Sequence, residues 1–142
     1  MSEPLAPQSS AASAKRPGGV VWVGRVLSAV PILMMLFSAA LKLMRIPNVI
    51  EAFTGKFGYP PEAILPIGIA ELGCVVLYAI PRTSVLGAIL MTAYLGGAVA
   101  THVRVRDVFV APIILGIIAW LGLYLRDQRL RVFLPLRRPP PL

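Results

Sequence analysis

The residue with the clearest chemical potential in this sequence is Glu71, an ionisable side chain midway along the apolar run Ala63–Ile80. If that run crosses a bilayer, an acidic group at its centre costs about 2.5–3.5 kcal/mol on insertion scales, so it faces other helices and has a partner. Glu71 is then either protonated and hydrogen-bonded, or paired with a cation. The sequence leaves open whether it is a structural clamp between helices or a functional group.

Lys42 and His102 are the candidate cations, because each closes another apolar run on the predicted side where Ala63–Ile80 begins. Glu71 comes eight residues after that beginning, which is about 12 Å of helix. A lysine stem covers about half of this depth, so direct contact requires the Lys42 Cα to lie below the membrane surface. The alternatives are a headgroup anchor for Lys42 and an ordinary interfacial role for His102.

Two further side chains share the face of Glu71: Cys74 at i+3 and Tyr78 at i+7. We predict an intramembrane polar site made of Glu71, His102, Lys42, Cys74 and Tyr78. Weaker members of the same polar set are Ser38, Thr92 and Tyr94.

No motif assigns a catalytic residue. The sequence lacks a phosphate loop and a nucleophile–base set, and its only histidine lies at the end of an apolar run. The single cysteine excludes an internal disulfide and a CxxC redox pair, and one histidine argues against an all-protein transition-metal site. We expect no metal and no evident cofactor, and the chain is not predicted to be an enzyme by itself.

Composition places the elements that carry these residues in a membrane. Of 142 residues, 57% are hydrophobic and 14% are charged, whereas soluble domains are about 45–50% apolar and about 25% charged. A soluble fold of this length could not bury so much apolar surface, but a chain dissolved in lipid does not need to.

Four apolar runs are long enough to cross the bilayer as helices. Three contain about 18 residues, or about 27 Å of helix, which just spans the hydrocarbon core, and none alternates like a barrel strand. The first is too long for the apolar region of a signal peptide and ends in Lys42, so we interpret it as an uncleaved span. The sequence predicts an all-α four-transmembrane-helix bundle, with spans at about 20–41, 63–80, 84–101 and 108–125.

The segments outside these spans have their own predicted structures. Residues 1–19 are predicted to be a disordered tail and residues 135–142 a basic, proline-rich tail, flanking a transmembrane domain at 20–134. Between the first two spans, Pro47 suits a first helical turn, and apolar residues then recur at Val49, Ile50, Phe53 and Phe57. We predict a short amphipathic helix in the membrane interface, with a plain loop as the alternative.

The net charge of +8 lies in the tails and connections rather than in one patch. This distribution argues against nucleic-acid binding and favours contact with anionic headgroups. Nine Lys and Arg residues fall on the N-terminal side of the membrane and five on the other, so both termini are predicted to be cytoplasmic. The predicted lipid-anchoring residues are Arg25, Arg126, Arg129, Arg131, Arg137 and Arg138.

The third span is rich in small residues, including the pairs Ala93/Gly97 and Gly96/Ala100. Small-xxx-small pairs let helix backbones approach closely. We therefore expect this helix at the centre of the bundle or at the seam of a homo-oligomer.

Several segments together resemble the DoxX-like family, from about Trp22 to Pro135. They are Phe37–Leu43, Phe57–Pro60, Ile69–Cys74, Tyr78–Thr83 and Tyr94–Arg104. The resemblance implies a small four-helix protein of the bacterial inner membrane. Related members are associated with thiosulfate oxidation feeding quinone and with a membrane redox-homeostasis complex. The single Cys74 does not support dithiol chemistry in this chain.

These observations leave three functions open. The leading expectation is an accessory or scaffold component of a membrane redox-associated complex, with a membrane or redox protein as its partner and a buried polar pocket around Glu71. The second is a quinone-linked oxidoreductase subunit, with quinone as the cofactor. The third is a small proton-coupled transporter.

Overall fold

The computed structural model describes residues 18–130. Within this range the secondary structure is helical throughout, as the sequence predicts, and it contains no strand. The predicted tails, apart from residues 18 and 19, lie outside the described residues, as do Arg131, Arg137 and Arg138. The helices are α1 (Gly18–Leu43), α2 (Pro47–Glu51), α3 (Ile64–Ala79), α4 (Ser84–Arg104) and α5 (Val110–Arg126).

The four longer helices form an antiparallel bundle in which each contacts two neighbours, in the cyclic order α1, α3, α4, α5. The order brings the end of α1 beside the start of α3, since a Cβ added at Gly68 would lie 3.0 Å from the Lys42 Cβ. It likewise brings the beginning of α1 beside the end of α5, where Gly24 faces Leu125.

Between residues 18 and 130, three segments are long and apolar enough to cross a membrane: Gly18–Leu43, Pro61–Ala79 and Ser84–Arg104, with mean hydropathies of 2.1, 1.7 and 1.6. α5 is apolar but shorter, with 17 residues. Many large apolar side chains point outward from the bundle, among them Leu33, Phe37 and Ile117, which are more than 60% exposed. An apolar exterior of this extent is suited to lipid, and the protein is a helical membrane protein.

The bundle is tightly closed where α1 begins and α3 ends. We call this the closed end; it contains Gly24, Ser28, Tyr78, Gly87 and Gly122. A Cβ at Gly87 would lie 2.2 Å from the Tyr78 backbone nitrogen, and one at Gly122 would lie 2.7 Å from that of Ser28. Only glycine permits these backbones to approach so closely.

The opposite end, which we call the open end, contains the ends of α1 and α4. Each of these helices ends two residues before an arginine in the left-handed conformation, Arg45 (φ 52°) or Arg106 (φ 56°). The Ile46 N–H then bonds the Leu41 carbonyl, and the Asp107 N–H bonds the His102 carbonyl. Such left-handed caps satisfy the last helical carbonyls and turn the chain sharply.

The chain between α1 and α3 folds over the open end, and we call residues 47–63 the cap segment. α2 continues directly into a π-helical turn (Ala52–Lys56), and a 3₁₀ turn (Pro61–Ala63) leads into α3. Gly58, with a φ of 67°, reverses the chain between them, in a region that a side chain would disfavour. A helical segment is therefore present between α1 and α3, although it is only partly α-helical, and its place in the membrane interface stays a prediction.

Candidate functional site

Lys42 and Glu71 form a buried ion pair at the open end. The Lys42 Nζ lies 2.8 Å from the Glu71 Oε2, and the two residues are 7% and 3% exposed. Nζ also donates a 2.5 Å hydrogen bond to the Ser38 hydroxyl, one turn earlier on α1. A pair at this distance is a charge-assisted hydrogen bond, and it holds the end of α1 against α3.

The close approach of α1 to α3 explains how Lys42 reaches Glu71. Gly68 lies one turn before Glu71 on α3, and even a single Cβ there would lie 3.0 Å from the Lys42 Cβ. The absence of a side chain at Gly68 lets the lysine backbone come close to α3. The lysine side chain then needs to cover only the distance along α3 from Gly68 to Glu71.

The cap segment covers the ion pair at the open end. The Lys42 Nζ lies 5.7 Å from the centre of the Phe53 ring, within the range of cation–π attraction. The Lys42 ammonium is thus surrounded by the Ser38 hydroxyl, the Glu71 carboxylate and an aromatic face. These three groups stabilise its charge where water is scarce.

The ion pair faces a cavity of about 590 Å³ between the helices, a size typical of small-molecule sites. Its deeper wall is apolar and includes Met35, Leu95 and Leu115, while Phe53, Phe57 and Tyr59 lie above it on the cap segment. The Tyr94 side chain lines the cavity and interacts with the Glu71 carboxylate. The cavity therefore combines a large apolar surface with a few polar groups.

His102 lines the same cavity on the side of α4. Its Nδ1 lies 2.8 Å from the Ala98 carbonyl oxygen, which can only accept a hydrogen bond, so Nδ1 carries the proton. Its Nε2 lies 3.8 Å from an Asp107 carboxylate oxygen, too far for a hydrogen bond. The Phe57 ring packs against the imidazole at 5.1 Å between ring centres.

A set of contacts fastens the cap segment to the end of α4. Lys56 forms a 2.7 Å ion pair with Asp107, and the Tyr59 hydroxyl lies 2.8 Å from that of Thr101. The Arg104 guanidinium donates to the Phe57 carbonyl. The hydrogen bond from Lys56, helped by that from the Val108 backbone N–H, holds the pKa of Asp107 below its usual value. These contacts keep the cap segment over the cavity.

Tyr78, although on the face of Glu71, belongs to the closed end. Its buried hydroxyl donates to the Ala119 carbonyl at 2.6 Å and lies 3.1 Å from the Ser28 hydroxyl. Cys74 is buried in the apolar core between Glu71 and Tyr78. Of the five predicted site residues, the structure therefore gathers Lys42, Glu71 and His102 around one cavity and places Cys74 and Tyr78 outside its lining.

The sequence analysis did not assign the cap segment to the site. It placed Phe53 and Phe57 on an amphipathic helix and left Tyr59 out of the polar set, although all three line the cavity. The aromatic spacing after Pro47 was the available signal, but it does not show onto which surface the helix folds. Ser38 and Tyr94, weaker members of the predicted polar set, do line the cavity, whereas Thr92 accepts a hydrogen bond from Trp120 elsewhere on α4.

The predicted lipid-anchoring residues differ in their surroundings. Arg25 and Arg129 are exposed, as a headgroup contact requires. Arg126 is half-buried: its guanidinium donates a 2.9 Å hydrogen bond to the Tyr78 carbonyl and lies 4.9 Å from the centre of the Tyr78 ring. Arg126 therefore also closes the end of α3 within the bundle.

We expected the small residues of α4 either at the centre of the bundle or at the seam of a homo-oligomer, and the second alternative stays a prediction. Ala93, Gly96, Gly97 and Ala100 are all exposed, and a Cβ at either glycine would meet nothing within 4 Å. The close helix contact on α4 occurs instead at Gly87. In the described chain this stretch is therefore not at the centre of the bundle.

Comparison with known proteins gives one match. A protein-family model described as the DoxX-like family matches residues 26–122, more than half of the 142-residue chain. The matched range includes α1 from its third turn, the cap segment, α3, α4 and most of α5. No curated protein and no solved structure matches the chain.

Proposed function

This chain belongs to the DoxX-like family, and we propose that it is an accessory subunit of a membrane redox-associated complex that holds a small ligand in the cavity beside Lys42 and Glu71. The observation that carries the proposal is the buried ion pair on the wall of that cavity. Replacing a buried ion pair by apolar residues is often neutral or stabilising, so stability alone does not explain the pair. A binding role for the cavity does.

The proposal includes four membrane spans in the bacterial inner membrane, with both termini in the cytoplasm and the cap segment in the outer interface. The 17 residues of α5 lie antiparallel to α1 and α4, which supports a fourth crossing. The excess of Lys and Arg on the side of the termini supports the orientation. Reporter fusions at Leu142 and Thr54 test it, since a C-terminal fusion active only in the periplasm would overturn the topology.

Filling the cavity tests the ligand-binding role with a matched control. Gly97 lines the cavity, Gly96 faces a separate outer groove, and both have open space at the Cβ position. We expect Gly97→Leu to abolish complementation of a deletion strain, because leucine enters the cavity, while Gly96→Leu complements. Immunoblots of membranes must show equal amounts of both variants. Normal complementation by Gly97→Leu would remove the cavity from the function.

A quinone-linked oxidoreductase subunit is the second candidate, favoured by the polar groups that meet the cavity. A quinone ring fits 590 Å³. The Tyr94 hydroxyl would donate to one of its oxygens, and the His102 Nε2, an acceptor in this tautomer, would hold a hydroxyl of the reduced quinol. A bound quinone would supply two-electron acceptor chemistry. Saturable binding of a short-chain quinone, abolished by Gly97→Leu and followed by turnover with an electron donor, distinguishes this candidate from a purely accessory role.

A further inference from the structure

We propose that the cavity at the open end takes a neutral amphiphile from the bilayer, that is, an apolar body with an uncharged hydrogen-bonding head. The inference rests on the proposed ligand-binding function and adds the chemical class of the ligand. It also adds the route by which the ligand enters.

The charges that line the cavity are paired with one another, while the Arg104 guanidinium beyond the lining donates to the Phe57 carbonyl. Lys42 and Glu71 are the fully charged residues in its lining, and they bond each other at 2.8 Å. At the rim, Lys56 bonds Asp107 at 2.7 Å. The described lining therefore offers no unpaired cation for an anionic head and no unpaired carboxylate for a cationic one.

A charged head would have to lose its hydration without gaining a counter-ion, or separate a pair already formed. Both are costly where water is excluded. An uncharged head meets better partners, since the His102 Nε2 lies 3.8 Å from the Asp107 carboxylate and can accept a closer hydrogen bond, and Tyr94 lines the same space. The lining thus disfavours a charged head group and offers hydrogen-bonding partners to an uncharged one.

The distribution of lining residues fixes how such a molecule would lie. Polar and aromatic groups lie near the cap segment. Met34, Met35, Leu95 and Leu115 form the part of the wall that lies farther along the helices, toward the closed end. This is the polarity gradient of one leaflet of the bilayer. An amphiphile would lie with its head beneath the cap segment and its apolar body toward the centre.

Openings on the outer surface of the bundle give the route. Met34 lines the cavity and is 54% exposed, and Ala93 and Ala111 are also both lining and exposed. These positions lie on the transmembrane helices α1, α4 and α5, where the surroundings are lipid. A molecule dissolved in the bilayer can therefore enter sideways without passing the fastened cap segment.

Photolabelling with three probes tests the proposed class. The probes share one diazirine-bearing alkyl chain and end in an alcohol, a sulfonate or a trimethylammonium group, so that two carry permanent charges. The full chain in zwitterionic nanodiscs is labelled, cavity-lining peptides are quantified by mass spectrometry, and each yield is corrected for partition into empty nanodiscs. We expect labelling by the alcohol to exceed that by each charged probe about tenfold or more, and to be lost in Gly97→Leu but kept in Gly96→Leu.

A charge change at the ion pair sharpens the test. Glu71→Gln keeps the side-chain volume and leaves Lys42 without its counter-ion. Sulfonate labelling should then rise about tenfold, and the further substitution Lys42→Met should return it to the wild-type level. The wild-type comparison of the three probes remains decisive if Glu71→Gln fails to insert.

The outcomes separate this inference from the proposed function. Cavity labelling that is equal for all three probes, or stronger for a charged probe, overturns the neutral class but leaves a ligand-binding cavity. Cavity labelling by none of the probes overturns the ligand-binding function, and the inference with it. Labelling of wild type that survives Gly97→Leu overturns the assignment of the ligand to this cavity.

Discussion

The two ends of the bundle use the same four helices in opposite ways. At the closed end, glycines bring backbones into contact, and the buried Tyr78 hydroxyl finds its partners in Ser28 and Ala119 within the core. At the open end, α4 leaves space beside Gly97, and the polar groups of Lys42, Glu71 and His102 line a cavity. Polar residues at the closed end complete the packing, whereas at the open end Lys42 and Glu71 bond each other on the wall of a cavity.

The comparison shows that a small residue in a membrane helix has no fixed meaning. Gly87 and Gly97 lie on the same helix, yet an added Cβ would collide with backbone at the first and meet open space at the second. Composition along α4 does not distinguish them. Only the neighbouring helix determines whether a glycine serves packing or lines a space.

The largest effect is expected at the open end, from breaking the ion pair. Glu71→Ala removes the counter-ion of Lys42 and leaves a void, and it should lower the free energy of unfolding by about 3–5 kcal/mol. Glu71→Gln should lower it less, because the amide retains volume and can accept a hydrogen bond. Thermal unfolding in detergent measures both variants, and equal stability of Ala, Gln and wild type would contradict a stabilising pair.

The next largest effect is expected from comparing two glycines of α4, Gly87 and Gly97. Gly87→Ala drives a Cβ into the Tyr78 backbone and should destabilise the bundle by about 1–3 kcal/mol. Gly97→Ala has open space and gains helix propensity, so it should be neutral or stabilising by up to about 1 kcal/mol. Melting curves of the pair, compared at equal detergent concentration, give the difference. Equal melting temperatures would mean that the closed end is no tighter than the open end.

A smaller effect is expected from removing the Tyr78 hydroxyl. Tyr78→Phe keeps the ring but loses the 2.6 Å hydrogen bond to the Ala119 carbonyl, so the free energy of unfolding should fall by about 1 kcal/mol. Complementation should remain normal, because the hydroxyl belongs to the packing of the closed end. A variant with wild-type stability and no complementation would move Tyr78 into the functional site.

The smallest effect concerns the Lys56–Asp107 contact of the cap segment. The hydrogen bond from Lys56 lowers the pKa of Asp107 in the folded protein. The contact therefore contributes fully to stability above the unfolded pKa of 3.8, and this contribution is lost as pH falls through the lower folded pKa. The melting temperature should therefore decline slightly below about pH 4. Asp107→Asn should reduce that decline, and an identical pH profile in the variant would show that Asp107 is not its source.

Much of the architecture could be predicted because it depends on local properties of the chain. The cost of placing polar groups in lipid makes each apolar run a helix, and the same cost requires Glu71 to have a partner. The predicted span at 63–80 and α3 (Ile64–Ala79) nearly coincide. α1 and α4 extend two or three residues beyond the predicted ends, whereas α5 begins two residues later than predicted. The match to the DoxX-like family model confirms the resemblance carried by the quoted segments.

The choice among partners was decided only by the tertiary structure. Lys42 and His102 were both candidates for Glu71, but Gly68 brings α1 against α3, so Lys42 makes the contact and His102 faces Phe57 and Asp107. Tyr78 shares the helix face of Glu71, yet its hydroxyl bonds α5 because a helix face meets different neighbours along its length. The sequence by itself determined which groups need partners, since burial in lipid is costly for any polar side chain. The packing of the helices determined which partners they have, because contact depends on how closely the backbones approach.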